Sequence, residues 1–211
     1  MSARIAILDY GMGNLRSVEK ALEQVGVTAS ISSDPDEVRA ADGLILPGVG
    51  AFPRAMERIR GLGLDELIVE RRREGVPILG ICLGLQLLFE ASAEQGGAEG
   101  LGLLDGPVGE LEAEGLKVPH IGWEPVRWER DSRLTKGISS ETPFYFVHSF
   151  APRPSAGGLL GTAAYGNRFA CAAERDNVFG VQFHPEKSSA AGLRLLTNFA
   201  GVCAKSPATA G

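Results

Sequence analysis

Alternating strand-like and helix-like segments occupy roughly the first 95 residues of the chain, and they constrain its fold most strongly. Short apolar runs are typical of buried strands, and between them apolar residues recur at helical spacings of three and four. The predicted strands are 4–8, 27–31, 43–46 and 76–81, and the predicted helices are 14–25, 51–73 and one that begins at Leu83. Such alternation indicates a mostly parallel sheet with helices on both faces.

The second half of the chain has a different pattern. Short β-type segments follow one another, separated by turns that carry Pro and Gly, which favours antiparallel strands added to the same sheet. These segments are 117–121, 144–150, 159–165, 168–174 and 178–183. A last apolar-faced helix is predicted over 190–203. We therefore expect one three-layer α/β domain over 1–204, followed by a flexible tail at 205–211.

Composition excludes several classes of function. The 211 residues contain 21 Lys+Arg and 26 Asp+Glu, a formal net charge of −5, and this argues against nucleic acid as a partner. Three widely spaced cysteines and three histidines form neither a disulfide framework nor a zinc pattern, so we expect no metal. No apolar run approaches the ~20 residues of a membrane span, and the first residues lack a signal-peptide pattern. We expect a cytoplasmic protein with no membrane partner.

The segment 76–86 carries the most specific chemical signal, because a strand runs through Gly80-Ile-Cys82-Leu-Gly84 into a helix. This is the nucleophile-elbow pattern with cysteine in place of serine. On so sharp a turn, flanking side chains would collide with the neighbouring strand or helix. The turn also places the sulfur at a helix N-terminus, which favours a thiolate, and directs the Leu83 amide toward a developing oxyanion.

Considered alone, the Gly-x-Cys-x-Gly segment fits a buried structural cysteine equally well, since free cysteines are often small core residues. Cys171 and Cys203 lack the flanking glycines, and we predict both to be core residues. A base within reach of Cys82 would favour the catalytic interpretation, because a thiol nucleophile generally needs one.

His184 is the strongest candidate for that base, because Pro185 and Glu186 follow it. Proline makes the preceding residue extended, and residues i and i+2 of an extended chain share a face, about 6.6 Å apart. Glu186 could then bind one imidazole nitrogen and leave the other for Cys82. The alternative is a strand-end histidine with a solvated Glu186. Carboxyl ends of parallel strands are where sites form, which favours the triad.

Two other histidines compete for the role. His120 and His148 have no acid within two residues, and Glu124 lies four residues from the first of them. We expect both to bind or pack rather than to act as bases.

Two loops after predicted strands carry paired glycines. The turn 46–50 can expose backbone N–H groups around Val49, which suggests an oxyanion hole, although an ordinary strand-to-helix turn is the alternative. The loop 11–16 lacks the third glycine of a dinucleotide motif, so we assign no nucleotide cofactor and interpret Asn14 or Ser17 as a helix cap.

Taken together, these motifs resemble the class I, triad-type glutamine amidotransferases. The elbow 80–86 is similar to the nucleophile motif of that family, and 184–186 to its base and orienting acid. Further segments resemble the branch that supplies ammonia to a (β/α)8-barrel cyclase in histidine biosynthesis: 9–14, 46–50, 117–123, 145–149 and 184–188. Glu124 and Phe150 depart from the residues usual in that branch, Asn and Tyr.

The resemblance implies that Cys82 attacks the carboxamide of L-glutamine to form a thioester and release ammonia, with no cofactor. It also implies that the cyclase partner receives this ammonia and activates the glutaminase, which a reorienting Val49 peptide would explain. The implied triad is Cys82, His184 and Glu186, and the implied oxyanion donors are Val49, Gly50 and Leu83. The implied substrate contacts are Gly50, Gln86, Glu94, His148 and Ser149, and the implied partner interface is Asn14, Trp123, Tyr145 and Lys187.

Other functions remain open on the sequence alone. A glutaminase for a pyridoxal phosphate or aminobenzoate pathway is disfavoured by the Pro-Gly-Val-Gly loop and by Gly122-Trp123. A cysteine peptidase or γ-glutamyl hydrolase would act without any partner. A non-catalytic scaffold subunit would not need an intact Cys82, His184 and Glu186.

Overall fold

Nine strands form the central sheet of residues 3–204, the part of the chain that this computed structural model describes. The predicted tail at 205–211 lies outside the described residues. The strands of this sheet are β1 (Arg4–Leu8), β2 (Thr28–Ser32), β3 (Gly43–Gly48), β4 (Ile78–Cys82), β8 (His120–Trp128), β9 (Thr142–His148), β11 (Leu159–Tyr165), β12 (Asn167–Arg175) and β13 (Val178–Val181). Their order is β2-β1-β3-β4-β13-β12-β11-β8-β9.

The sheet is parallel in one half and antiparallel in the other. The pairs from β2 through β1, β3 and β4 to β13 are parallel. The pairs from β13 through β12, β11 and β8 to β9 are antiparallel. This confirms the predicted α/β fold class with antiparallel strands from the second half of the chain, although the antiparallel part is as large as the parallel part.

Helices cover both faces of the sheet. They are α1 (Leu15–Gln24), α2 (Pro35–Arg39), α3 (Phe52–Gly61), α4 (Leu64–Arg73), α5 (Leu83–Leu87) and α6 (Ser189–Cys203). Alternation along β1 shows the two faces: Ile5 and Ile7 pack in one core cluster with α1 and α6, whereas Ala6 and Leu8 belong to a second cluster with α2 to α5. Side chains of a strand alternate between faces, so one short strand contributes to both cores. None of the helices in the described part combines the length and apolarity that a bilayer crossing requires.

A smaller four-stranded sheet was not predicted. It consists of β5 (Ala91–Ser92), β6 (Ala98–Glu99), β7 (Pro107–Glu110) and β10 (Phe150–Pro152), in the order β10-β7-β5-β6. Two of these strands have two residues, too few to show any periodicity. The predicted single strand at 144–150 is wrong, because the chain divides at Ser149 between β9 of the large sheet and β10 of the small one.

Several predicted boundaries are also wrong. The strand predicted at 117–121 begins only at His120 and continues to Trp128 as β8. Its Pro125 pairs with Pro143 of β9. Pro143 lies in the edge strand of the sheet, where proline is tolerated. The helix predicted over 51–73 is divided into α3 and α4 by a turn in which Gly63 has φ +67°.

Local capping differs from the prediction as well. Of the two predicted helix caps, Asn14 occupies the N-cap position of α1 but its side chain makes no capping hydrogen bond, and Ser17 lies inside the helix. The missed helix α2 is instead well capped, since the Asp34 carboxylate accepts from the backbone N–H groups of Asp36 and Glu37. This is the usual stabilisation of a helix start, and it makes a five-residue helix possible.

Strand register determines where the functional residues meet. Gly48 at the end of β3 pairs with Cys82 at the end of β4, and Ile81 pairs with Val181 at the end of β13. Because these three strands are parallel, the residues that follow each of them emerge at one edge of the sheet. Residues 48–50, 82–86 and 182–186 are therefore neighbours.

Candidate active site

The elbow at the end of β4 holds Cys82 in a backbone conformation that is rare for a residue with a side chain. Its φ is +55° and its ψ is −112°, and α5 begins at the next residue, Leu83. A non-glycine residue in such a conformation costs of order 1–3 kcal/mol and occurs mostly where function requires it. The chain thus turns sharply and places the sulfur at the start of a short helix.

Close contacts require the two flanking glycines, as predicted from the Gly-x-Cys-x-Gly pattern. A Cβ at Gly80 in β4 would lie 2.6 Å from the carbonyl oxygen of Gly84 in α5. A Cβ at Gly84 would overlap the carbonyl oxygen of Leu46 in β3. These neighbours are backbone atoms, so no change of side-chain rotamer could relieve either contact.

His184 lies beyond the end of β13, next to the Glu186 carboxylate. The distance from its Nδ1 to Glu186 Oε1 is 2.8 Å, and only 1% of the Glu186 side chain is exposed. The prediction of an extended chain holds for His184. It is wrong for the residues that follow, because Pro185–Lys187 forms a 3-10 turn. Backbone bonds fix the segment: the His184 N–H donates to the Tyr145 carbonyl, and the Ser188 hydroxyl donates to the His184 carbonyl.

The environment of His184 favours its charged form. Burial lowers the pKa of His184, but hydrogen bonds and charge from Cys82 and Glu186 outweigh burial and raise the pKa to about 10. The ring therefore carries a proton at neutral pH, between the sulfur and the carboxylate. The structure thus brings together Cys82 and His184, which are far apart in the sequence.

A cleft of about 290 Å³ opens over the sulfur, at the lower end of small-molecule pocket sizes. Its walls include every residue predicted for oxyanion or substrate contact, together with two triad residues and Lys187. These residues are Val49, Gly50, Cys82, Leu83, Gln86, Glu94, His148, Ser149, His184 and Lys187. Glu186 lies behind His184, and the predicted interface residues Asn14, Trp123 and Tyr145 are not part of the wall.

Glu94 is the acidic residue of the cleft wall. Its Oε2 accepts a hydrogen bond of 2.8 Å from the backbone N–H of Phe52, the first residue of α3. A carboxylate at a helix N-terminus is stabilised by the unpaired N–H groups there. The contact fixes Glu94 at the cleft wall.

The other two histidines bond to each other. His148 Nδ1 lies 2.9 Å from the Phe150 carbonyl and must donate to it, which leaves Nε2 as an acceptor for His120 Nδ1 at 3.1 Å. Burial, the largest cause, lowers the pKa of His148 to about 4, so the ring is neutral at pH 7. His120 Nε2 lies 3.6 Å from Glu124 Oε1. Both rings pack as expected, and His148 also lines the cleft.

Two buried polar residues at the site were missed. The Tyr10 hydroxyl donates to the Pro47 carbonyl at 2.7 Å, directly before the Val49 loop, and burial raises the pKa of Tyr10. Gln182 Nε2 lies 3.7 Å from Cys82 Sγ. Only their positions in the sequence could have drawn attention to them. Tyr10 directly follows Asp9, and Gln182 lies two residues before His184.

A cysteine on a strand-to-helix turn, a protonated histidine and a buried carboxylate are the parts of a hydrolase with a cysteine nucleophile. Among residues 3–204, no group of three or more His, Cys, Asp or Glu is arranged to hold a metal ion.

Two solved structures share the fold. A glutamine amidotransferase has a TM-score of 0.74 at 22% identity, over 93% of this chain and 98% of that one. PurLQS from Thermotoga maritima has a TM-score of 0.75 at 20% identity, over 96% and 99%.

Sequence comparison extends this assignment. The family model of glutamine amidotransferase class-I matches residues 6–202. The imidazole glycerol phosphate synthase subunit HisH of Moorella thermoacetica is 54% identical over 196 residues, 92% of this chain and 93% of the relative. The subunit of the same name from Methanosarcina barkeri is 48% identical over 202 residues, 95% and 99% of the two chains. The chain therefore belongs to the class I glutamine amidotransferases and, within them, to the HisH family.

Proposed function

We propose that this chain is the glutaminase subunit of an imidazole glycerol phosphate synthase in histidine biosynthesis. It hydrolyses L-glutamine and passes the ammonia to a (β/α)8-barrel cyclase subunit, which forms imidazole glycerol phosphate and an aminoimidazole carboxamide ribotide. The observation that carries the proposal is the placement of Cys82 beside His184 and Glu186 in a member of the HisH family.

The geometry supports a two-step reaction. The Cys82 sulfur attacks the carboxamide carbon, and the oxyanion meets the backbone N–H of Leu83 and those of the Val49–Gly50 loop. His184, which is protonated at neutral pH, gives its proton to the departing nitrogen, so ammonia leaves and a γ-glutamyl thioester remains. Water then attacks the thioester with His184 as the base, which releases glutamate and regenerates the free cysteine.

Substrate contacts follow from the cleft wall. Glu94 supplies a carboxylate for the α-ammonium group of glutamine. Gln86 Nε2 already donates to the Phe150 carbonyl and to Gln182, so Gln86 can offer the substrate only its Oε1, an acceptor. His148 is neutral, and with Ser149 and Gly50 it completes the proposed wall without adding charge.

An apolar surface beside the cleft supports the cyclase interface. Trp123 is 48% exposed, and four of the exposed large hydrophobic residues of the described chain belong to the segment 116–123. The Trp123 and Tyr145 ring centroids are 5.8 Å apart, and Lys187 Nζ lies over the Tyr145 ring, 5.9 Å from its centroid. Exposed apolar patches of this kind mark protein interfaces. With Asn14, which is also exposed, these residues form the surface proposed to meet the cyclase.

Co-purification with the cyclase, followed by a glutaminase assay with and without the cyclase's ribonucleotide ligand, tests the proposal. We expect a stable complex and glutamine hydrolysis that rises strongly when the ligand is bound, with Val49 reorienting at the oxyanion hole. Hydrolysis of polyglutamate or peptides without a partner would instead indicate a γ-glutamyl hydrolase or peptidase. Failure of a glutamine-analogue electrophile to label Cys82 in the complex would indicate a scaffold.

The triad assignment predicts unequal losses for its two supporting residues. His184→Ala removes the proton donor and should lower kcat by about 10⁴-fold, whereas Glu186→Gln removes an orienting charge and should cost about 10²-fold. Because Glu186 raises the pKa of His184, its loss should move the alkaline decline of kcat/KM from near pH 10 to lower pH. The pH–rate profiles of the complex measure both effects. Equal losses, or an unmoved alkaline decline, would contradict the orienting role.

A further inference from the structure

A second set of hydrogen bonds reaches the nucleophile from residues outside the triad. Gln86 Nε2 lies 3.0 Å from the Phe150 carbonyl oxygen and 3.0 Å from Gln182 Oε1. Gln182 Nε2 in turn lies 3.7 Å from Cys82 Sγ. Both glutamines are buried, with 5% of Gln86 and none of Gln182 exposed. Buried amides are oriented by their partners, so the direction of this chain of bonds can be derived.

The Phe150 carbonyl determines that direction. A backbone carbonyl can only accept, so the Gln86 atom facing it must be the nitrogen. The same nitrogen faces Gln182, whose nearer atom must therefore be its oxygen. The remaining amide nitrogen of Gln182 then faces the Cys82 sulfur as a donor. No other orientation of the two side chains satisfies all these contacts.

The backbone holds Gln182 in place on both sides. Val181 pairs with Ile81 of β4, so the next residue, Gln182, lies beside Cys82 in the neighbouring strand. On the other side, the Gln182 N–H donates to the Cys171 carbonyl of β12 at 2.8 Å. The side chain therefore approaches the sulfur from the neighbouring strand, and Gln182 does not line the cleft.

The sulfur has two kinds of neighbour besides His184. The Val147 carbonyl, 3.7 Å from Sγ, can accept a proton from a neutral thiol. A thiolate has no proton to give, so it can bond only to donors, and Gln182 Nε2 is one. Hydrogen bonds to a charged group are roughly twice as strong as those between neutral groups. The Gln182 contact therefore favours the thiolate form of Cys82 over the neutral thiol.

We propose that Gln182 is a catalytic residue: its amide donates to the Cys82 sulfur, while its oxygen anchors Gln86 in the substrate cleft. This assignment rests on the proposed glutaminase function, because it concerns the same site. It gives Gln182 two separable tasks, one at the nucleophile and one at the binding residue.

The two tasks are separated by a pair of matched variants, Gln182→Met and Gln86→Met. Methionine keeps an unbranched side chain of similar length but supplies no N–H group. The measurement is the rate of Cys82 alkylation by iodoacetamide as a function of pH in the full chain, with the modified peptide quantified by mass spectrometry. For Gln182→Met we expect the half-maximal alkylation rate to move to higher pH by about one unit, and kcat to fall about tenfold to a hundredfold.

Gln86→Met removes the anchored binding residue and leaves the donor of Gln182 near the sulfur. It should raise KM for glutamine and leave the alkylation profile unchanged. An unchanged alkylation profile in Gln182→Met, or an equal displacement in both variants, would overturn the proposal. If Gln182→Met does not fold, Gln182→Asn, whose shorter amide cannot reach the sulfur, gives the same comparison. Iodoacetamide labelling needs neither glutamine nor the cyclase, so it distinguishes failure of this proposal from failure of the glutaminase function.

Discussion

Replacing Cys82 with alanine is expected to lower glutamine-dependent synthesis by the complex at least about 10⁴-fold while leaving ammonia-dependent synthesis near its native rate. The reason is that the two activities depend on different sites. The thioester forms only at Cys82, whereas free ammonia can enter the cyclase reaction without it. Measuring product formation from glutamine and from ammonium salt in the same preparation separates the two activities.

Cys203 provides the matched control. It is a buried cysteine at the end of α6, its sulfur packs against Gly43, and burial is the main cause that raises its pKa to about 12. Cys203→Ala should therefore lower stability slightly and leave glutamine-dependent synthesis unchanged. Loss of ammonia-dependent turnover in Cys82→Ala would contradict the proposed separation of the two sites.

The parallel half of the fold could be predicted because its signals are local. Strands such as β1 and β4 are short, continuous apolar runs, and α1 shows a clear helical period, so their burial is visible in the sequence. The small sheet was not visible. Its strands β5 and β6 have two residues each, and they exist because they pair with each other and because β5 also pairs with β7. Pairing between distant segments leaves no period in the sequence.

The same limit applies to the site, because only residues with a local sequence signal could be predicted. Cys82 is marked by its glycines and His184 by the Pro-Glu that follows, both within a few residues. Gln182 and Tyr10 carry no such mark, because their partners come from other strands: Cys82 in β4 for the first and Pro47 in β3 for the second. Their positions depend on the register of a parallel sheet, which is determined only when the whole sheet has formed.

Gly84→Ala is the second change expected to have a large effect, and it acts through the elbow. Gly84 lies inside α5, where alanine would ordinarily be the better helix former. The added Cβ would, however, overlap the Leu46 carbonyl oxygen of β3, so the helix or the strand must shift. We expect the free energy of unfolding to fall by about 3 kcal/mol, at the upper end of overpacking costs, and kcat to fall because Cys82 moves with the helix.

Gly201→Ala is the matched control, because the same change should have the opposite sign there. Gly201 is an exposed residue within α6, and no atom outside its own helix lies within 4 Å of a Cβ built on it. Alanine should stabilise this helix by about 0.5–1 kcal/mol and leave activity unchanged. Denaturant unfolding of both variants measures the contrast. If Gly84→Ala were as harmless as Gly201→Ala, the strand and helix would not be held as closely as the elbow requires, and the strained placement of Cys82 would need another cause.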